Sequence, residues 1–101
     1  MPEFLNAAKV SELKPGSAKV IEAGGKTIAL CHAEGKFYAL DNTCLHRGGP
    51  VGEGFIDGEL ITCPWHGWQY DVKTGQSTMN PGAKLACYET RIEGDDILVE
   101  V

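Results

Sequence analysis

The sequence contains no apolar run approaching the ~18 residues needed to cross a bilayer. Its first residues, Met1-Pro2-Glu3-Phe4, lack the basic start and apolar stretch of an export signal. It has no basic cluster either. The formal net charge is −5, which argues against nucleic acid or an anionic membrane as a partner. A cytoplasmic protein is the simplest expectation. There is no internal repeat, low-complexity tract or long linker. Gly52-Glu53-Gly54 reads as a turn and not as a nucleotide loop, because no strand–helix unit surrounds it. The four cysteines, Cys31, Cys44, Cys63 and Cys87, include no close pair, so they do not form a four-cysteine iron–sulfur ligand run. A reducing cytosol also argues against two disulfides.

What the sequence does contain suits one small globular domain. Of its 101 residues, 43% are apolar and 23% charged, a composition that supports a modest core. A metal centre that cross-links loops would help a fold of this size. Thirteen glycines and five prolines punctuate short segments throughout, the pattern of an all-β domain. Ser17–Ala23 and Lys26–Ala33 flank Gly24-Gly25 and predict a hairpin. Glu34-Gly35 leads into a strand at Lys36–Leu40. Glu59–Thr62 and Trp68–Val72 predict short strands on either side of Cys63–Gly67. Lys84–Ile92 and Asp95–Val101 flank a turn at Glu93-Gly94. Val10–Leu13 reads as one helical turn or a loop, and no segment carries a long 3.6-residue period.

Two short motifs fall outside these strands. One is Cys44-Leu45-His46-Arg47-Gly48-Gly49-Pro50; the other is Cys63-Pro64-Trp65-His66-Gly67. Both have the glycine and proline content of tight loops, where a rigid β scaffold commonly holds a metal. Two cysteines and two histidines would also suit tetrahedral zinc. Zinc-finger spacings usually pair like with like, whereas each short pair here is mixed. A zinc-binding interaction module is therefore the lesser alternative.

Cys44-x-His46 and Cys63-x-x-His66, with Pro64 after the second cysteine and Gly67 after the second histidine, closely resemble the ligand loops of the Rieske 2Fe–2S family. The resemblance implies an all-β, Rieske-like antiparallel sheet sandwich over residues 1–101, with a cluster-binding subdomain at about 43–72. It further implies that Cys44 and Cys63 bind one iron and His46 and His66 the other, with the histidines at an exposed tip. Replacing two thiolates by neutral imidazoles raises the reduction potential relative to an all-cysteine cluster. Respiratory members of the family carry an additional disulfide, and the corresponding positions here are Gly49 and Trp65. They also carry a serine that donates to a bridging sulfide, where this chain has Trp68. Tyr70 matches their tyrosine, which donates to a cysteine sulfur. These departures imply a low-potential, ferredoxin-type cluster.

His32 is the one histidine of three not claimed by the ligand motifs. A mononuclear iron oxygenase site needs two histidines and a carboxylate, so the chain cannot hold both a Rieske cluster and such a site. His32 reads as a strand residue near the surface with no special role. Cys31 and Cys87 read as small buried apolar residues. Trp68 reads as core, while Leu45 and Trp65 suit equally a mutual packing contact and an apolar docking lid. The expected function is one-electron transfer, not catalysis, from a flavoprotein or other reductase to an oxygenase or reductase-type acceptor. A small subunit of a nitrite reductase-like complex is the alternative setting.

Overall fold

The computed structural model describes residues 4–43, 48–65, 67–78 and 82–100. Its strands are β1 (Phe4–Lys9), β2 (Ala18–Ala23), β3 (Lys26–Ala33), β4 (Lys36–Asp41), β5 (Phe55–Asp57), β6 (Leu60–Thr62), β7 (Gln69–Asp71), β8 (Cys87–Tyr88), β9 (Thr90–Glu93) and β10 (Asp96–Glu100). They form three sheets, in the orders β1-β10-β9, β2-β3-β4-β8 and β5-β6-β7. Every strand pairing among the described residues is antiparallel. The all-β reading therefore holds. Among the described residues, no helix is long and apolar enough to cross a membrane.

β3 explains the layering. Ile28, Ala29, Leu30 and Cys31 are consecutive and wholly buried. Successive strand residues point to opposite faces, so burial of all four requires cover on both sides. On one face Ile28 and Leu30 meet Ile97 and Val99 of β10. On the other, Ala29, Cys31 and Ala33 join Val51, Ile61, Cys63, Tyr70, Val72 and Leu85. The four-stranded sheet is thus the middle layer, between the β1-β10-β9 sheet and the small β5-β6-β7 sheet. A strand buried on both faces reads as a continuous apolar run. Each large apolar side chain buried in these cores contributes about 1.5–3 kcal/mol relative to exposure.

The Gly24-Gly25 hairpin forms as expected. Both glycines have positive φ, 58° and 79°, the backbone that a tight two-residue turn demands. Val10–Glu12 is a single 3-10 turn. The stretch expected as one strand over Lys84–Ile92 is two: Cys87–Tyr88 pairs with β4, and Thr90–Glu93 pairs with β10. The chain changes sheets at Glu89, whose carbonyl accepts from Glu100 N–H at 2.9 Å. β1 and β5 carried no clear sequence signal. β1 has a register shift between Asn6 and Ala8, a bulge that breaks its alternation, and β5 has only three residues. Val101, the expected end of the last strand, lies outside the described residues.

Candidate metal centre

The small sheet and the end of β4 bring the two motif loops together. Of the four expected ligands, the described residues include Cys63; Cys44, His46 and His66, with Leu45 and Arg47, lie outside them.

The first loop leaves β4 and is closed at its base by a bridge between Thr43 and Pro50. Asn42 anchors that base. Its carbonyl accepts from Val51 N–H at 2.8 Å, its own N–H donates to Thr27 O at 3.2 Å, and its Oδ1 accepts from Gly52 N–H at 2.7 Å. Asn42 is nearly buried, so these bonds satisfy groups that water cannot reach. Sequence reasoning missed this residue, because an asparagine between a strand and a loop reads only as turn chemistry.

The second loop is the tip of the β6–β7 hairpin. Thr62 and Gln69 form the last strand pair. Beyond them Cys63 N–H donates to Trp68 O at 2.7 Å. This bond fixes Cys63 at the loop base with its thiol side wholly buried, in the same core as Tyr70, Val51 and Leu85.

The loops meet at Gly49. A Cβ at this position would stand 2.9 Å from Cys63 Sγ and 2.9 Å from both Cβ and Cγ of Trp65. Only a residue without a side chain allows so close an approach. The same contact brings together Gly49 and Trp65, the two positions to which the family resemblance assigns the extra disulfide of respiratory members. Behind the loop, Thr62 O occupies the place a Cβ of Gly54 would take, so Gly54 is a second close contact supporting the cysteine strand.

This donor set fits an iron–sulfur cluster. Cys63 presents sulfur at the junction of two loops, each of which has one cysteine and one histidine in sequence. An apolar wall lies behind it and a tight cradle in front. Trp65 is 50% exposed; Leu45, its partner in the packing reading, lies outside the described residues. Trp68 is partly buried against the core, its ring 6.4 Å from that of Tyr70. Tyr70 is wholly buried in the cluster of residues that contains Cys63.

The remaining titratable residues divide. Cys31 is wholly buried, and burial pushes its thiol up to about 12. Cys87 is exposed, contrary to the buried reading, because β8 is an edge strand of the middle sheet; partial burial still raises its pKa. His32 is more than a bystander. Its Nδ1 lies 2.9 Å from Leu13 O, and its ring centroid lies 4.2 Å from that of Phe37. It ties the 3-10 turn to the middle sheet.

Residues 3–89 match the Rieske 2Fe–2S domain, and the chain belongs to that family, whose cofactor is the 2Fe–2S cluster. Within the family it resembles ferredoxin components. It is 31% identical over 100 residues to the ferredoxin component of the naphthalene 1,2-dioxygenase system of Pseudomonas aeruginosa, covering 98% of this chain and 96% of that one. It superposes with a TM-score of 0.86 and 28% identity on a chain of the complex of reduced oxygenase and oxidized ferredoxin in carbazole 1,9a-dioxygenase, covering 95% of this chain and 91% of that one. A Mycobacterium tuberculosis protein described as an NADH-dependent nitrite reductase small subunit superposes with a TM-score of 0.91 at 17% identity, covering 100% of this chain and 96% of that one. At that identity the likeness is one of fold.

Proposed function

We propose that the protein is a cytoplasmic one-electron carrier and not itself an enzyme. It takes an electron from a reductase, of the flavoprotein kind, and passes it to the oxygenase of a ring-hydroxylating system. The proposed ligands are Cys44 and Cys63 to one iron and His46 and His66 to the other, within a subdomain of about residues 43–72. The observation that carries the reading is the meeting of Gly49 with Cys63 and Trp65, in a chain matched along its length by ferredoxin components. When bound, the cluster accepts and releases one electron; the chain supplies its ligands, its shielding and its docking face. The nitrite reductase setting rests on fold alone and has no separate observation in its favour.

Tyr70 is proposed to raise the potential by donating to a ligand sulfur, because hydrogen bonds to sulfur favour the reduced, more negative state. The first test is anaerobic purification with iron and sulfide analysis and electron paramagnetic resonance of the dithionite-reduced protein. The expectation is two irons and two sulfides per chain with a Rieske spectrum. Single Cys44→Ser, His46→Ala, Cys63→Ser and His66→Ala variants should each lose it. Zinc without sulfide in the wild type would overturn the reading. Protein-film voltammetry on Tyr70→Phe should show a potential lower on the order of 40 mV, the one-electron equivalent of about 1 kcal/mol of hydrogen bonding. An unchanged or higher potential would remove that role.

A further inference from the structure

Phe55 is the most exposed of the large apolar side chains described, at 63% of its surface, although the next residue, Ile56, packs against the core. It lies on β5, the edge of the small sheet. Glu53 precedes it by two residues and Asp57 follows it by two. Both acids are exposed, and among the described residues neither is ion-paired. Phe55 is paired with Thr62, the residue immediately before Cys63, so the patch adjoins the loop that carries half-exposed Trp65. An aromatic flanked by unneutralised carboxylates has the make-up of a docking surface, an apolar centre with a charged rim. The other carboxylates of the small sheet differ. Glu59 ion-pairs with Lys73, and Asp71 Oδ1 accepts from Lys73 N–H at 2.8 Å.

Building on the carrier reading above, we propose that Phe55, Glu53 and Asp57, continuous with Trp65, form the seat for the electron-accepting protein. Its redox edge would lie in an apolar depression rimmed by lysine and arginine. The carboxylates steer such a partner in, and Phe55 and Trp65 fill its depression. Partner contact then falls directly over the hairpin that holds Cys63.

The test uses the cluster-loaded protein, reduced by dithionite, with cytochrome c as a basic one-electron acceptor in stopped-flow mixing. Glu53→Gln with Asp57→Asn should slow the low-salt second-order rate about three- to tenfold, and the difference should close as salt rises. Glu93→Gln with Asp95→Asn, at the far β9–β10 turn, makes the same change of net charge and should leave the rate near wild type. Phe55→Ala should slow transfer at low and high salt alike, and Phe55→Tyr should restore most of it. All variants should keep the wild-type resonance spectrum and potential. Equal slowing by the two charge pairs, or no effect of Phe55→Ala, overturns the proposed seat while leaving the carrier reading intact. A wild-type protein with no Rieske spectrum, or one that passes no electron to cytochrome c, overturns the carrier reading and the seat with it.

Discussion

Gly49→Ala tests whether the two loops form one centre. The added Cβ would stand 2.9 Å from Cys63 Sγ and from two atoms of Trp65, where ordinary contact begins at 3.4 Å. Something must move by about half an ångström. Swinging the Trp65 ring about χ1 moves its Cγ but not its Cβ, which is also struck and moves only with the backbone, so a rotamer change alone does not relieve the clash. Cys63 is wholly buried among Val51, Tyr70 and Leu85 and its backbone is held by its N–H bond to Trp68 O, so its sulfur can shift only against buried neighbours. Overpacking of this kind costs about 1–3 kcal/mol, or about 4–8 °C per kcal/mol in a domain of this size. Because the strain falls on a proposed iron ligand, cluster loss should come first. In a thermal scan followed by both cluster absorbance and circular dichroism, bleaching should precede unfolding in Gly49→Ala and coincide with it in the wild type. Gly16→Ala is the control. Its φ is +80° with nothing within 4 Å of the added Cβ, so it should lower the unfolding temperature without separating the two transitions. A Gly49→Ala protein that bleaches and unfolds like the wild type would refute the packing of the loops.

Three further outcomes are expected. Asn42→Ala leaves the N–H of buried Gly52 without its partner and should cost about 1–3 kcal/mol, read as a lower urea midpoint with unchanged slope. Iodoacetamide should label Cys87 in the native protein, faster as pH rises, while Cys31, held near 12 by burial, should label only after unfolding; mass spectrometry of the native digest decides, and early labelling of Cys31 would contradict its burial. Glu34 carries a raised carboxyl pKa, first through its hydrogen bond with Glu59 and then through that residue's charge. Its ionised form therefore opposes folding at neutral pH, and the penalty fades as pH falls towards and below 4.5. Glu34→Gln should melt above the wild type at pH 7 in low salt and match it near pH 4; equal melting temperatures at pH 7 would refute the pairing.

The parts of the fold legible in the sequence were those with local signals. Gly24-Gly25 announced its hairpin because both positions need positive φ, and the cysteine and histidine spacing announced the family. The parts that were hidden depend on distant partners. Lys84–Ile92 reads as one strand, yet it serves two sheets, a division made by β4 and β10 and not by any residue within it. Cys87 lies exposed on an edge strand, where a free cysteine in a strand reads as a small buried apolar residue. His32 seemed idle because its partner, Leu13 O, lies 19 positions away. Asn42 and Phe55 were overlooked for opposite reasons. The asparagine is one polar residue among loop residues, and the phenylalanine belongs to a strand too short to show a period.

The two faces of β3 connect this architecture to the proposed function. Its large side chains, Ile28 and Leu30, face the β1-β10-β9 sheet, whereas the face beneath the hairpin of Cys63 carries Ala29, Cys31 and Ala33. Small residues let the hairpin settle close to the middle sheet, so that Tyr70 and Cys63 are wholly buried although their sheet has only three short strands. Three strands of three residues each would be marginal alone. They gain their rigidity from a middle layer that is itself packed on its other side. One end of the small sheet thereby fixes Cys63, a proposed iron ligand, while Phe55 on its edge strand and Trp65 at the hairpin tip stay exposed for the proposed partner. In a carrier, the cluster must be held rigidly while partners bind and leave quickly. This chain separates those demands across one hairpin, with Cys63 turned inward and Trp65, two residues on, turned out.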